Sequence, residues 1–246
     1  MLLVERLRAA GCVFAEEEAD LLTAAAGSPA ELEEMVARRV AGHPLEQVVG
    51  WAEFAGLRIV VDPGVFVPRR RSEFLVRQAA ALARPGALAV DLCCGAGALG
   101  AALAASVEVE VHAADIDPAA VRCARKNLPL VYEGDLFAAL PGALRGRIDL
   151  LLANVPYVPT ADLGLLPSEA RDHEAPVALD GGGDGLDVFR RVAADAPAWL
   201  APGGHLFSET TARQAPVAVE ILTAQGFTAW SEESEEYETT TVIGRR

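Results

Sequence analysis

The sequence predicts an α/β fold built on a mostly parallel sheet, and three observations support it. From about residue 85 onward, short apolar runs alternate with helical segments, the pattern of right-handed crossovers that cover a parallel sheet on both faces. Apolar residues make up 52% of the 246 and charged residues 23%, enough for a buried core and unlike a disordered chain. The last two apolar runs, TAWSEES and TTTVIGRR, are joined by only a short polar connection. The sheet is therefore expected to finish on an antiparallel strand.

Residues 1–46 read as short amphipathic helices. Leu2, Leu3, Leu7 and Ala10 recur at helical spacing, as do Leu32, Met35, Val36, Arg39 and Val40, and each set predicts one buried stripe. Ser28-Pro29 with Glu31 marks a helix start, a capping residue followed by proline at the first helical position. The run Glu16-Glu17-Glu18 is expected to form a solvated face. Residues 47–68 alternate apolar and polar side chains around Gly and Pro turns, which predicts a hairpin linker. Beyond it, strands are expected in ALAVDLCC, VEVHAAD, LPLVYEGD, IDLLLANVP and GGHLFSE, with helices near 98–106, 118–127, 136–145 and 185–200.

Composition narrows the function. With 35 acidic and 21 basic residues the formal net charge is −14, which disfavours nucleic-acid and anionic-lipid surfaces. Cys12, Cys93, Cys94 and Cys123 form no C-x-x-C, and the four histidines form no close pair. The cysteines read as reduced thiols, and no metal site is expected. The start, MLLVERLRAAG, is interrupted by charge, and the longest uncharged run, Leu92 to Val107, has 16 residues. That falls short of the roughly 20 needed to cross a bilayer, so the expected location is the cytoplasm.

Ligands of open α/β sheets bind beyond the carboxyl ends of the strands. The first such loop, Asp91-Leu92-Cys93-Cys94-Gly95-Ala96-Gly97-Ala98-Leu99-Gly100, contains G-x-G-x-x-G, with Asp115 at the end of the next strand. This arrangement suits a dinucleotide, with glycines for close approach and an acid for the ribose. It equally suits S-adenosylmethionine, for which Asp91 supplies the further acid often found near the first strand end. Asp135 can accept from an adenine amino group or cap a helix. The first loop alone leaves both cofactors open.

The fourth strand ends in Asn154-Val155-Pro156-Tyr157. Asn-x-Pro-Tyr there, with the Asp91 loop and Asp115, resembles the amino-group methyltransferases whose motif is NPPY. GVFVPRRRSE, Gly64 to Glu73, is similar to the GxxxPRPxTE segment of the protein-(glutamine-N5) methyltransferases, the HemK/PrmC type. RRVAGHPLEQVVGWAEFAGL resembles the segment leading into it, and HEAPVALDGGGDGLD resembles their F-E-P-x-x-A-L-x-G-G-x-D-G-L stretch. Together these cover roughly residues 36–246, and several motifs in order are far more specific than one.

The resemblance implies a class I, Rossmann-like methyltransferase domain at 69–246 with a seven-stranded, mostly parallel sheet. It implies S-adenosyl-L-methionine as cofactor, held by Asp91, Cys93, Gly95, Gly97, Asp115, Ile116, Asp135, Leu136 and Asn154. It assigns catalysis to Asn154, Val155, Pro156 and Tyr157, and the substrate pocket to Phe66, Pro68, Arg69 and Glu73. The implied substrate is a glutamine on an exposed loop of a protein, a release factor or another translation protein, with residues 1–46 as the docking region. Competing readings are a small-molecule amide or amine, an adenine amino group, an NAD-dependent oxidoreductase, and a binding module without activity.

Three departures bear on these expectations. NVPY replaces NPPY, which keeps the backbone carbonyl at 155 and loses the stiffness of proline. Cys93 stands where the family has a glycine. The segment Pro68-Arg69-Arg70-Arg71-Ser72-Glu73 keeps Pro68, Arg69 and Glu73 and adds charge at Arg70 and Arg71, as a solvated turn or a contact for an acidic partner. The helical region, about 46 residues, is shorter than the docking domain the resemblance implies.

Overall fold

The structure is a computed structural model and describes residues 2–246; Met1, the first residue of the expected helical region, lies outside them. The chain opens with four helices, α1 (Leu3–Ala9), α2 (Ala15–Ala25), α3 (Pro29–Val40) and α4 (Leu45–Val49). The start of α3 is the one the sequence marks: Pro29 opens the helix and Ser28 Oγ accepts the Glu31 amide at 3.2 Å. Leu7, Ala15, Ala19, Leu22, Met35, Val36 and Val48 bury one another in a small separate core. Leu2 does not join the stripe and stays exposed. The acidic run also differs from its expected solvated face. Glu18 is buried and takes two hydrogen bonds from the buried Arg39, because the α2 face that carries it packs on α3.

The predicted hairpin follows as β1 (Trp51–Phe54) and β2 (Leu57–Val60), paired antiparallel. Its turn places Ala55 and Gly56 at φ 51° and 75°, the left-handed pair that matches the twist of two tightly joined strands. The division at 46/47 falls within α4.

The remaining elements are α5 (Glu73–Leu82), β3 (Ala87–Leu92), α6 (Ala98–Ser106), β4 (Val109–Asp115), α7 (Pro118–Ala124), β5 (Val131–Glu133), β6 (Ile148–Ala153), α8 (Ser168–His173), α9 (Asp187–Trp199), β7 (Leu200–Thr210), α10 (Ala215–Ala224), β8 (Thr228–Ser234) and β9 (Thr239–Arg245). The larger sheet has seven strands in the order β5-β4-β3-β6-β7-β9-β8. The first five run parallel, and β9 pairs antiparallel with both β7 and β8. All six residues of β3 are buried, as expected for a central strand covered on both faces. The chain moves outward from β3 on one side to β4 and β5, then returns to place β6 on its other side. The carboxyl ends of β3 and β6 therefore flank the switch point where ligands bind.

The helix expected near 136–145 is replaced by two short 3-10 turns, Leu136–Ala139 and Gly142–Leu144. Leu136 enters with φ at 48° and Pro141 interrupts the stretch, so no continuous α-helix can form. Three helices were not anticipated: α5, α8 and α10. Two of them, α5 and α8, bring functional segments together below.

Candidate active site

A cavity of about 320 Å³ opens at the carboxyl ends of β3, β4 and β6. Cys93 to Ala96 form one wall, Asp115 and Ile116 a second, and Asn154 to Val158 a third. The segment Phe66 to Ser72 closes the side, and residues from Leu166 to Leu179 form a roof.

The side of the cavity beneath the glycine loop is built by two carboxyl groups turned toward backbone amides. Asp115 Oδ2 accepts from Gly95 N at 2.8 Å, and its Oδ1 accepts from Asp117 N at 2.9 Å. Asp91 Oδ2 accepts from Gly100 N at 2.9 Å, in the first turn of α6. A dinucleotide pyrophosphate would need these loop and helix amides for itself. Here protein carboxyl oxygens already accept from them, which suits a ligand that carries no phosphate. Ile116, half-exposed at the cavity edge, offers apolar surface for a flat base.

The side of the cavity at the carboxyl end of β6 is organised by a residue the sequence reading did not single out. Glu209, at the end of β7, is buried. Its carboxylate accepts from Arg71 Nε at 2.9 Å, Ser72 Oγ at 2.5 Å and the Tyr157 hydroxyl at 2.7 Å. Arg71 also donates to the Tyr157 oxygen at 2.8 Å. Burial, and then the Glu209 charge, push the Tyr157 hydroxyl well above the ordinary tyrosine range. Its two hydrogen bonds thus hold Tyr157 as a fixed aromatic wall. A signal for Glu209 was available, since GGHLFSE is one of the predicted strands and Glu209 its charged carboxyl end.

Two distant motifs meet at Glu174, whose side chain is fully buried at the end of α8. It accepts from Arg69 Nη2 at 2.6 and 2.8 Å and from Val67 N at 3.1 Å. Burial raises the Glu174 pKa, with the Arg69 charge and the Val67 amide opposing. The Arg69 guanidinium lies 4.8 Å from the Phe66 ring centroid, so fixing Arg69 also fixes Phe66. Behind Tyr157, the Gly181–Gly185 loop presses on the chain. Gly181 N donates to Val158 O at 2.8 Å, and Gln214 Nε2 bridges Tyr157 O and Asp184 O at 2.9 Å each.

Of the predicted residues, the cavity wall brings together Phe66, Pro68, Arg69, Cys93, Gly95, Asp115, Ile116, Asn154, Val155, Pro156 and Tyr157. Five others lie off it. Asp91 is wholly buried beneath the loop. Gly97 is the left-handed N-cap of α6 and faces Leu128, which a Cβ would meet at 3.0 Å. Asp135 pairs with Arg191 at 2.6 Å, and Leu136 is buried in the core. Glu73 turns away to accept the Ala55 amide at 2.9 Å, tying α5 to the hairpin turn.

Asn154 Nδ2 lies 3.3 Å from Ser72 Oγ. Among the described residues, no protein donor reaches Asn154 Oδ1 or the Val155 carbonyl. Two acceptors therefore line one cavity beside an aromatic ring, the arrangement that holds a planar nitrogen carrying two hydrogens.

A family model described as methyltransferase small domain matches residues 56–165. The release factor glutamine methyltransferase of Geobacter sulfurreducens is 38% identical over 200 residues, 78% of this chain and 69% of that protein. The 4-amino-L-phenylalanine/4-methylamino-L-phenylalanine methyltransferase of Streptomyces pristinaespiralis is 37% identical over 230 residues, 87% of this chain and 77% of that protein. Among solved structures, a methyltransferase from Pyrococcus furiosus superposes with a TM-score of 0.59 at 18% identity, covering 77% of this chain and 89% of that one. The dinucleotide reading that the glycine loop allowed is thereby set aside. The chain belongs to the release factor glutamine methyltransferase family, and it is an S-adenosylmethionine-dependent methyltransferase.

Proposed function

We propose that the protein methylates the side-chain amide nitrogen of a glutamine presented on an exposed loop of a protein, a release factor or another translation protein. The observation that carries this reading is the pair of acceptors without protein donors, Asn154 Oδ1 and the Val155 carbonyl, beside the immobilised Tyr157 ring. S-adenosylmethionine supplies an electrophilic methyl group on a sulfonium. An amide nitrogen is a poor nucleophile because its lone pair is delocalised into the carbonyl. Positioning must therefore supply much of the rate. Acceptors on both N–H groups hold the nitrogen in place and stabilise the positive charge that develops there. The surplus proton then passes to water. Asp115 and Gly95 serve the cofactor, with Asp91, Gly97, Asp135 and Leu136 supporting it from the adjoining strand ends.

In the same reading, residues 1–46 dock the partner, 47–68 link, and 69–246 carry the methyl transfer in the cytoplasm. A net charge of −14 argues for a protein partner over a nucleic acid. A second reading, a small aromatic amine, is favoured by the similarity to the 4-amino-L-phenylalanine enzyme. Its amino group would satisfy the same two acceptors.

The test incubates the enzyme with labelled cofactor and, in parallel, a purified bacterial release factor, 4-amino-L-phenylalanine and DNA, with products mapped by mass spectrometry. Methyl groups on a glutamine side chain are expected. Methylation confined to the aromatic amine or to adenine would overturn the proposal. Asn154→Ala is expected to lower turnover about a hundredfold with cofactor affinity nearly unchanged. Val155→Pro should be tolerated, since the carbonyl remains.

A further inference from the structure

Ser72 stands where two hydrogen bonds dictate each other's direction. Its Oγ lies 2.5 Å from Glu209 Oε2 and 3.3 Å from Asn154 Nδ2. Glu209 is buried and bound by the Arg71 guanidinium and the Tyr157 hydroxyl. A carboxylate held by a guanidinium has only acceptors to offer. The one hydroxyl proton of Ser72 must therefore point to Glu209, and a lone pair is what Ser72 presents to Asn154. Only an N–H can meet that lone pair. The Asn154 amide is held with Nδ2 toward Ser72, and Oδ1 is left as its open acceptor. Were the amide inverted, its own N–H groups would confront those of the methyl acceptor.

We propose that Ser72 and Glu209 are positioning residues that decide which end of the Asn154 amide faces the methyl acceptor. The site thereby selects an acceptor nitrogen bearing hydrogen over a carbonyl or carboxylate oxygen. This inference rests on the reading of Asn154 Oδ1 as the partner of the acceptor N–H. It holds for a glutamine amide and for an aromatic amine alike. Glu209 does not line the cavity, so it acts through Ser72 and Tyr157 and not on the substrate.

Two measurements test it on the full chain. The first follows the Asn154 side-chain NH2 group by 15N NMR, identified by its loss in Asn154→Asp. One of its two protons should be shifted downfield and protected from exchange in the wild type. That signature should persist in Ser72→Thr, which keeps the hydroxyl, and vanish in Ser72→Ala. The second is a double-mutant cycle in turnover, using a purified release factor and 4-amino-L-phenylalanine as acceptors. Ser72→Ala should lower kcat about tenfold, the scale of one lost hydrogen bond, with S-adenosylhomocysteine affinity unchanged. In an Asn154→Ala background the same substitution should cost less than about twofold. Glu209→Gln should behave like Ser72→Ala, because glutamine offers its own N–H and frees the Ser72 proton to turn toward Asn154. An unchanged NH2 signal in Ser72→Ala, or equal losses in both backgrounds, would overturn the relay. Full turnover by Asn154→Ala would instead overturn the acceptor reading, and the NMR arm would then decide the bond directions alone.

Discussion

Beneath the cavity floor, Asp91 has one carboxylate oxygen bonded to Gly100 and the other without a partner, in a fully buried side chain. Burial pushes its pKa up to about 7; the Gly100 amide opposes the shift and the Asp115 charge adds to it. The folded protein therefore binds this proton more tightly than the unfolded chain does. The stability contributed is complete below about pH 4 and lost as the pH rises toward 7. Asp91→Asn mimics the protonated acid and removes this dependence. Relative to wild type, the variant should gain roughly 2–4 kcal/mol between pH 4 and pH 8. Denaturant titrations of both proteins across that range check it, and a difference that does not change with pH would contradict the assignment. Asp91 was legible as an acid at a strand end, but its burial was not, because a strand end can face the ligand or lie under the loop. Cys93 shows the same limit. It adopts φ 56°, a conformation costing a non-glycine residue about 1–2 kcal/mol, and only the family's glycine there hinted at it.

At the scale of elements, the apolar runs and their order were readable because the central strands β3 and β6 are buried along nearly their whole length. The helices that follow functional segments were harder to see. For α5 the start is hidden behind three arginines, two of which turn out to hold Glu174 and Glu209. The pairing of the Pro68–Glu73 segment with the Glu174 stretch is a contact across about a hundred residues, beyond what local patterning encodes. The glycine loop after it was readable as a motif but not as a clamp. Gly185 has φ 81°, and a Cβ there would lie 2.2 Å from Tyr157 O and 2.4 Å from Gln214 Nε2. Gly185→Ala should therefore move Tyr157 and its loop. Turnover is expected to fall at least tenfold and stability by about 1–3 kcal/mol, the cost of local backbone strain. A crystal structure of the variant with Tyr157 undisplaced and activity intact would contradict the clamp.

Across the whole molecule, the N-terminal helices and the roof of the cavity are joined by more than the intervening chain. Arg39 spans the gap: it binds Glu18 within its own bundle and reaches Glu169 of the roof at 2.6 Å. Glu169→Ala severs this link while leaving the buried Arg39–Glu18 pair whole. The expected result is a three- to tenfold rise in KM for the methyl acceptor with kcat nearly unchanged, the worth of about 1 kcal/mol for a half-exposed ion pair. Steady-state kinetics check it, and an unaltered KM would show that the roof stands without the helices. Arg39→Met would be harsher, because it strands Glu18 in the interior and costs the bundle about 3–5 kcal/mol. None of this was visible in the helical stripe, where Arg39 occupied an apolar position for reasons the period alone could not supply. The arrangement constrains any attempt to exchange the helical region for another. A transplanted bundle would have to arrive with a guanidinium at the height of Arg39, or the chimaera would inherit a slack ceiling.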